Sequence, residues 1–418
     1  MLLFEHARLL DCTGADPRPE MSVAVEGGRL TRIAPTGSFA IAAGTSVIDC
    51  QGRTLMPGLI DAHVHLAAVD IDMSANARHP APVVALRIAA LIEATLQAGF
   101  TTVRDAGGLP WGYKEAVRLG LIDGPDLLIS GAFISQTGGH ADHRSRIEFA
   151  IPGHDSQVYA QPFIVDGPEQ VRWAARENLR RGSDQIKMMA NGGAMSPTDE
   201  MTSTQFTIPE LAAAVQEAKA AGTYVLAHVY TAESMQNCLE AGVRSLEHGN
   251  FLDERTAALI REQGAFLVPT IVTYEQIAAH GVAGGVGEKQ LQKIQQGLDR
   301  AFEALEIALR AGVQIASGSD LLGPMQPMKA RELALKARVM GAMGALVAST
   351  KTNAALLRLE EEIGTLEEGR LADLILVDCD PTADIACLED PANIHMVLKR
   401  GRICKDLTRE SLAAKPRL

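Results

Sequence analysis

From about residue 55 to 345 the chain repeats one pattern. A short apolar run is followed by a segment whose apolar positions recur every three to four residues. Short apolar runs bounded by turn residues predict buried strands, and the longer period predicts amphipathic helices. Strands are expected over residues 59–66, 101–105, 126–135, 185–189, 224–230, 245–249, 266–273 and 314–320. Helical patterns lie between most of them. The pattern over 209–221 opens at Pro209 and stops at Gly222, and those over 232–241 and 254–263 are closed by Gly242 and Gly264. Proline at a helix start and glycine just past its end are ordinary boundary signals. Strands alternating with helices imply parallel βαβ units. Eight units favour a closed (β/α)₈ TIM barrel of the α/β class over an open, doubly wound sheet.

The two ends break this pattern. Strand-like pieces separated by turns occupy 21–26, 30–33 and 47–49 near the start, and 374–377, 396–398 and 401–404 near the finish. Neither end is long enough to bury a core alone. Together they are expected to form a small β-sandwich beside the barrel. The expected division is 1–56 and 359–408 for the sandwich, 57–358 for the barrel, and 409–418 as a tail. Two long loops, 136–166 and 190–207, follow strands three and four. Loops of that length inside a compact domain tend to be functional, and in a barrel they lie over the C-terminal face.

Composition narrows the function classes. Only 4% of residues are aromatic, so the core must be built from Ala, Leu, Val and Ile. The formal charge of −12 argues against a nucleic-acid partner, which needs clustered positive charge. No basic-then-apolar leader and no run of about 18 apolar residues stands out, so no membrane partner and a cytoplasmic location are expected. A leader removed before residue 1 stays open. The cysteines Cys12, Cys50, Cys238, Cys379, Cys387 and Cys404 form no CxxC pair. Reduced thiols are expected, rather than a zinc-finger or disulfide framework.

The strongest chemical signal is His63-Val64-His65 in strand one. Side chains at i and i+2 of a strand point the same way, so both imidazoles can reach one ion. Alone, that motif is weak. It is joined by His228 near the end of strand five, His248 at the end of strand six, and Asp320 at the end of strand eight. Lys187 interrupts the apolar strand four. A buried polar group costs several kcal/mol, on the order of 2–7, unless it is paired or metal-bound. An ammonium is no ligand. A lysine buried among apolar groups loses its charge readily, however, and a neutral amine can add carbon dioxide to give an anionic, bidentate carbamate. The ordinary alternative is a lysine paired with Asp320 or Glu247. Arg104-Asp105 at the end of strand two reads as a structural ion pair or as a group that supports the ligands from behind, with the structural reading favoured. Met188, Met189, Met195, Met325 and Met328 fall near the ends of strands four and eight. They could line an adaptable apolar pocket or simply fill the core.

These residues resemble a known family, the amidohydrolase superfamily. Within it the chain is similar to prolidase-like dipeptidases and carboxypeptidases with two zinc ions, a subgroup that includes ochratoxin-type amidohydrolases. The likeness runs through Leu55-Met-Pro-Gly-Leu-Ile-Asp-Ala-His-Val-His-Leu66, Ile186-Lys-Met-Met189, Ala194-Met-Ser-Pro-Thr-Asp199, Ala227-His-Val-Tyr-Thr231, Ser245-Leu-Glu-His-Gly-Asn250, Gly318-Ser-Asp320 and the stretch 363–374. The resemblance implies that His63, His65 and Asp320 hold one divalent ion, most simply Zn²⁺. It implies that His228 and His248 hold a second, with carboxylated Lys187 between them. It further implies that His140 and Tyr230 are catalytic and contact the substrate, and that the chain forms homo-oligomers, octamers among them. His143 and His154, in the same loop as His140, receive no role.

The chemistry implied is hydrolysis of an amide next to a free carboxylate. A water shared by two ions is acidified toward neutrality. Asp320 would take its proton and pass it to the leaving amine. A dipeptide or an N-acyl amino acid fits as substrate, with release of the C-terminal residue. An ochratoxin-like aromatic amide fits as well. The rivals are a cyclic amide hydrolase or a deaminase of the same superfamily, and a non-catalytic scaffold. Lys187 argues against the deaminase, and the complete ligand set argues against the scaffold.

Overall fold

The computed structural model describes residues 1–38, 42–144, 157–196 and 199–407. His154 and the expected tail lie outside them. The repeating region is a (β/α)₈ barrel. Strands one to three, Leu59–Val64, Phe100–Asp105 and Asp126–Ile129, pair in parallel. Strands four to eight, Ile186–Met189, Val225–Thr231, Ser245–Phe251, Phe266–Val268 and Gln314–Ile315, pair in parallel in sequence order. Backbone hydrogen bonds close the ring. The Asp184 N–H donates to the Ile129 carbonyl at 2.7 Å, joining strands three and four. Ala62 donates to Ser317 at 2.8 Å and Asp320 to His63 at 2.8 Å, joining strands one and eight.

Three expected elements come out differently. Strand three is split, and Ile134–Ser135 forms a separate short piece that pairs with Phe163–Ile164. The strand expected over 266–273 stops at Val268 because Pro269 has no N–H for a ladder. Residues Ile271–His280 are instead a helix, and a second helix of 24 residues, Glu288–Ala311, follows it. The strand expected over 314–320 pairs regularly only through Ile315. Beyond that it runs along strand one and turns at Asp320, where φ is +53°.

The helix boundaries follow the sequence signals. Thr207 and Glu210 form a capping box on Ile208–Ala220, and Gly242 takes the left-handed cap of Ala232–Ala241. The helix Arg331–Leu357 is long and apolar enough by length and composition to cross a membrane, contrary to the expectation that no such run exists. It packs against the barrel through Leu333, Leu335, Ala345 and Leu346, and it breaks at Gly341.

Both chain ends zip into one mixed sheet. Leu2–Leu9 lies between Arg18–Glu26 and Thr54–Pro57, and Thr54–Pro57 pairs antiparallel with Leu374–Val377. Alternation sorts the faces. Leu55, Leu374 and Leu376 join Phe4, Val23 and Leu398 in the terminal domain's own core. Met56, Ile375 and Val377 turn the other way and pack with Ile88, Ile92 and Leu96 of the first barrel helix. The cysteine expectation needs one correction. Cys379 and Cys387 are joined by a disulfide across the loop following Leu374–Val377, while Cys12, Cys50, Cys238 and Cys404 are free.

Asn353 crosslinks the barrel seam. Its side-chain amide donates to the carbonyls of Ile60 (2.6 Å) and Ser317 (2.8 Å) and accepts from the Ser317 N–H (2.9 Å). Replacing it with alanine leaves buried backbone groups unpaired, at about 1–3 kcal/mol each. Asn353→Ala is expected to lower unfolding stability by roughly 3 kcal/mol, read as a shifted denaturant midpoint. An unchanged midpoint would show that the seam does not depend on this side chain.

Candidate metal centre

The six residues singled out in the sequence converge at one end of the barrel. They line a cavity of about 310 Å³. Each imidazole is fixed by its outer nitrogen. His63 Nδ1 donates to Glu247 Oε2 at 2.6 Å, and His65 Nδ1 donates to the Gly107 carbonyl at 2.9 Å. His228 Nε2 donates to the Gly192 carbonyl at 3.3 Å, and His248 Nδ1 lies 2.7 Å from Thr270 Oγ1. Such outer contacts decide the tautomer and leave the inner nitrogen as a bare lone pair.

The inner atoms then face one another. His65 Nε2 and His63 Nε2 lie 3.2 and 3.6 Å from Asp320 Oδ1. His228 Nδ1 lies 2.9 Å from His248 Nε2. Zinc–nitrogen bonds of about 2.0–2.1 Å put ligands of one tetrahedral ion roughly 3.3 Å apart. In the tautomers with both outer nitrogens protonated, these two nitrogens face each other as lone pairs at 2.9 Å, an arrangement that a cation between them would relieve. His63 Nε2 and Lys187 Nζ have no hydrogen-bond partner, though both residues are buried. The ordinary alternative for Lys187, a pair with Asp320 or Glu247, is therefore not formed. The donor set fits a metal centre.

Electrostatics agree. Burial, with Lys187 nearby, pushes the His63 imidazole well below its usual range. Burial likewise lowers His228, and it brings His248 and His140 down to about 4. All four are neutral near pH 7, the form that binds metal. Burial also brings the Lys187 amine down to about 8. Burial opposes ionisation of Asp320, but His63, His65 and His248 together hold it below the usual carboxylate range.

The expected pair Arg104-Asp105 does not form. Arg104 instead grips Glu247 with Nη2 at 2.8 and 2.9 Å, and Glu247 in turn orients His63. Asp105 accepts backbone N–H groups from Leu66, Gly107 and Leu109. Glu247 as an orienting group was missed. Period two could have found it, because Ser245 and Glu247 share one face of strand six and both meet Arg104.

Both long loops reach the cavity. The His140 ring stacks on His228 with centroids 4.3 Å apart. Its backbone N–H donates to Gln205 Oε1 at 3.0 Å, and Gln205 Nε2 donates to Asp199 at 2.8 Å. Tyr230 stands edge-on to His228 and stacks on His248, at 4.8 and 5.4 Å between centroids. Both expected substrate contacts thus border the ligands. His143 also lines the cavity. Of the methionines, Met189 and Met195 line it, Met188 and Met325 are core, and Met328 is exposed. Lys293 of the long helix was missed. Its buried ammonium donates to the carbonyls of Gly193, Ser196 and Asp199 and ties down the strand-four loop.

Comparison with known proteins bears on this geometry. The amidohydrolase family profile matches residues 54–404. An ochratoxinase of Aspergillus niger is 33% identical over 364 residues, covering 84% of this chain and 75% of its own. A crystal structure of a prolidase complexed with N-methylphosphonate-L-proline superposes with a TM-score of 0.93 at 38% identity, covering 97% of this chain and 99% of its own. A Xaa-Pro dipeptidase with bound methionine gives 0.86 at 30% identity, covering 96% and 99%.

Gly193 makes room for His140. A Cβ there would come within 1.8 Å of the imidazole ring. Gly193→Ala must move the ring while replacing none of the six proposed ligands. It is expected to leave metal content unchanged while kcat/KM for amide hydrolysis falls about 100-fold, the scale of an ångström's misplacement. Full activity in this variant would remove His140 from the reaction.

Proposed function

This chain belongs to the amidohydrolase family, and from that premise we propose that it cleaves an amide bond beside a free carboxylate, releasing the C-terminal amino acid. The substrate is a dipeptide or an N-acyl amino acid. Two divalent cations, zinc in the simplest case, would be held by His63, His65 and Asp320 and by His228 and His248, and Lys187 would complete the set as a carbamate. Its neutral amine forms an N–C bond to carbon dioxide and releases one proton to solvent. The single observation that carries this reading is the set of inward-facing donors: His228 and His248 nitrogens 2.9 Å apart, beside a buried Lys187 amine without a partner.

When bound, such ions polarise a carbonyl and lower the pKa of a water they share. The rest falls to the chain. Asp320, ionised and at the cavity floor, accepts the proton of the attacking water and returns it to the departing nitrogen. His140 and Tyr230 offer neutral N–H and O–H donors to the substrate, and burial raises the Tyr230 phenol so that it stays protonated. Glu247, held by Arg104, keeps the His63 lone pair inward. Relatives named ochratoxinase, prolidase and Xaa-Pro dipeptidase support the amide-hydrolase reading.

The test is a panel of acyl-phenylalanine, acyl-lysine and acyl-proline substrates, with metal content measured in parallel. At least one amide should be cleaved, chelation should abolish that turnover, and zinc should restore it. Metal-replete protein that turns over no amide would remove this function.

A further inference from the structure

Lys293 stands out among the charged side chains outside the proposed centre. It lies in the second turn of the long helix Glu288–Ala311 and is buried. Its ion pair with Glu200 is long, at 3.9 Å. Its ammonium donates instead to three backbone carbonyls of the strand-four loop, Gly193 at 3.2 Å, Ser196 at 3.0 Å and Asp199. An ammonium has three N–H donors, so this arrangement fills it. Burying a charge is costly, and an apolar side chain would pack the helix at lower cost. What the charge adds is the loop. Three carbonyl dipoles aimed at one point oppose each other unless a cation lies there.

The loop gathered in this way meets the metal centre repeatedly. The Gly192 carbonyl accepts from His228 Nε2 at 3.3 Å. Gly193 lies closer to the His140 ring than any Cβ would allow. The Ala194 backbone hydrogen-bonds the Tyr230 hydroxyl. Asp199 accepts the Gly193 N–H at 3.2 Å and Gln205 Nε2 at 2.8 Å, and Gln205 accepts the His140 N–H at 3.0 Å. The base of the loop is fixed separately. The Gly192 N–H donates to the Ser203 carbonyl at 2.8 Å, and the Asn191 amide donates to the Met201 and Ser203 carbonyls at 2.8 Å each. Lys293 therefore governs the part beyond the base. Gln290, one helical turn earlier, adds a bond to the Met195 carbonyl at 2.5 Å.

We infer that Lys293 is a positioning residue, a tethered cation around which the strand-four loop folds, and that through Asp199 and Gln205 it sets the His140 ring over His228. It replaces no ligand and lies outside the residues that line the cavity. Its kinetic consequence rests on the amide-hydrolase reading above; its hold on the loop does not.

The experiment uses the full chain, metal-loaded. Lys293→Met keeps the stem and removes the cation. On a cleaved acyl amino acid its kcat/KM should fall about 100-fold, the scale of an ångström's misplacement, with metal content at the wild-type level. Gly193→Ala displaces the same ring, so the double variant should lose little more than either single one. Lys293→Ala supplied with n-propylammonium, which replaces the missing carbons and the charge, should recover about tenfold, and n-propanol should not restore it. Amide hydrogen exchange should quicken around Gly193 and His140 in Lys293→Met and stay unchanged in the barrel strands. Lys293→Gln, which keeps an N–H donor head without the charge, stands in if Lys293→Met does not fold. Full activity in the variant would overturn the inference. So would a loss that multiplies with that of Gly193→Ala and ignores n-propylammonium, because the lysine would then only support the fold. If wild type cleaves no amide, the amide-hydrolase reading fails and exchange alone decides. Faster exchange around His140 then supports the clamp, and unchanged exchange overturns it.

Discussion

A buried chain of charge, Arg104 to Glu247 to His63, sits under everything the cavity does. All three side chains are fully enclosed. Burying an arginine and a glutamate is costly, and the cost is offset only when geometry is good and the remaining hydrogen-bonding sites are filled. Here they are filled. Arg104 also reaches the Ala62 carbonyl and Ser245 Oγ, and Glu247 accepts from Ser245 as well as His63. The network spans strands one, two and six, so it ties three separate stretches of chain to one imidazole. Removing one partner would leave an isolated charge in the barrel interior. That asymmetry makes the ligand orientation rigid.

The same enclosure lowers the proton affinity of four of the six proposed ligands. Burial is the leading cause of the lowered pKa at His63, His228, His248 and Lys187. Desolvation favours the uncharged form of each of these bases, which is the form that can offer a lone pair. His63, Lys187, His228 and His248 come from strands, and His65 and Asp320 from the turns at strand ends, all held by the barrel's backbone pairing. Much of the remaining cavity wall comes from loops and from the helices after strand seven, which can vary without disturbing the cage.

Much of this was readable from residue spacing. His63-Val64-His65 declares itself by period two, and His228, His248, Asp320 and Lys187 stand out because each is polar in an apolar strand. All six reach one cavity. Local patterns could not show partners distant in the chain. Arg104 looked like a mate for its neighbour Asp105, yet it pairs with Glu247, 143 residues away. Lys293 resembled any lysine of an amphipathic helix, although it caps three carbonyls of the strand-four loop. The run 266–273 was read as one strand because it is mostly apolar and β-branched, and Pro269 was the sign that the strand had to end. The strands that shortened, seven and eight, are those whose last residues turn into the cavity instead of continuing the ladder.

That turning has a physical cost that the architecture must support. His248 and Asp320 both adopt left-handed backbone conformations, with φ of +75° and +53°. Non-glycine residues held there cost on the order of 1–3 kcal/mol each and persist only where the surroundings over-determine them. At Asp320 the surroundings do so. Its N–H is bound to the His63 carbonyl at 2.8 Å, and Ser319 before it is clamped by Asp61, which accepts its N–H and its hydroxyl. Asp61 also accepts the N–H of His63 at 3.1 Å. One buried carboxylate thus sets the backbone of the first ligand and of the last, and the strain at Asp320 is what aims its carboxylate at His65. A relaxed backbone there would continue strand eight and point the side chain elsewhere. The strain is therefore a consequence of closing the barrel and aiming the ligand at the same residue.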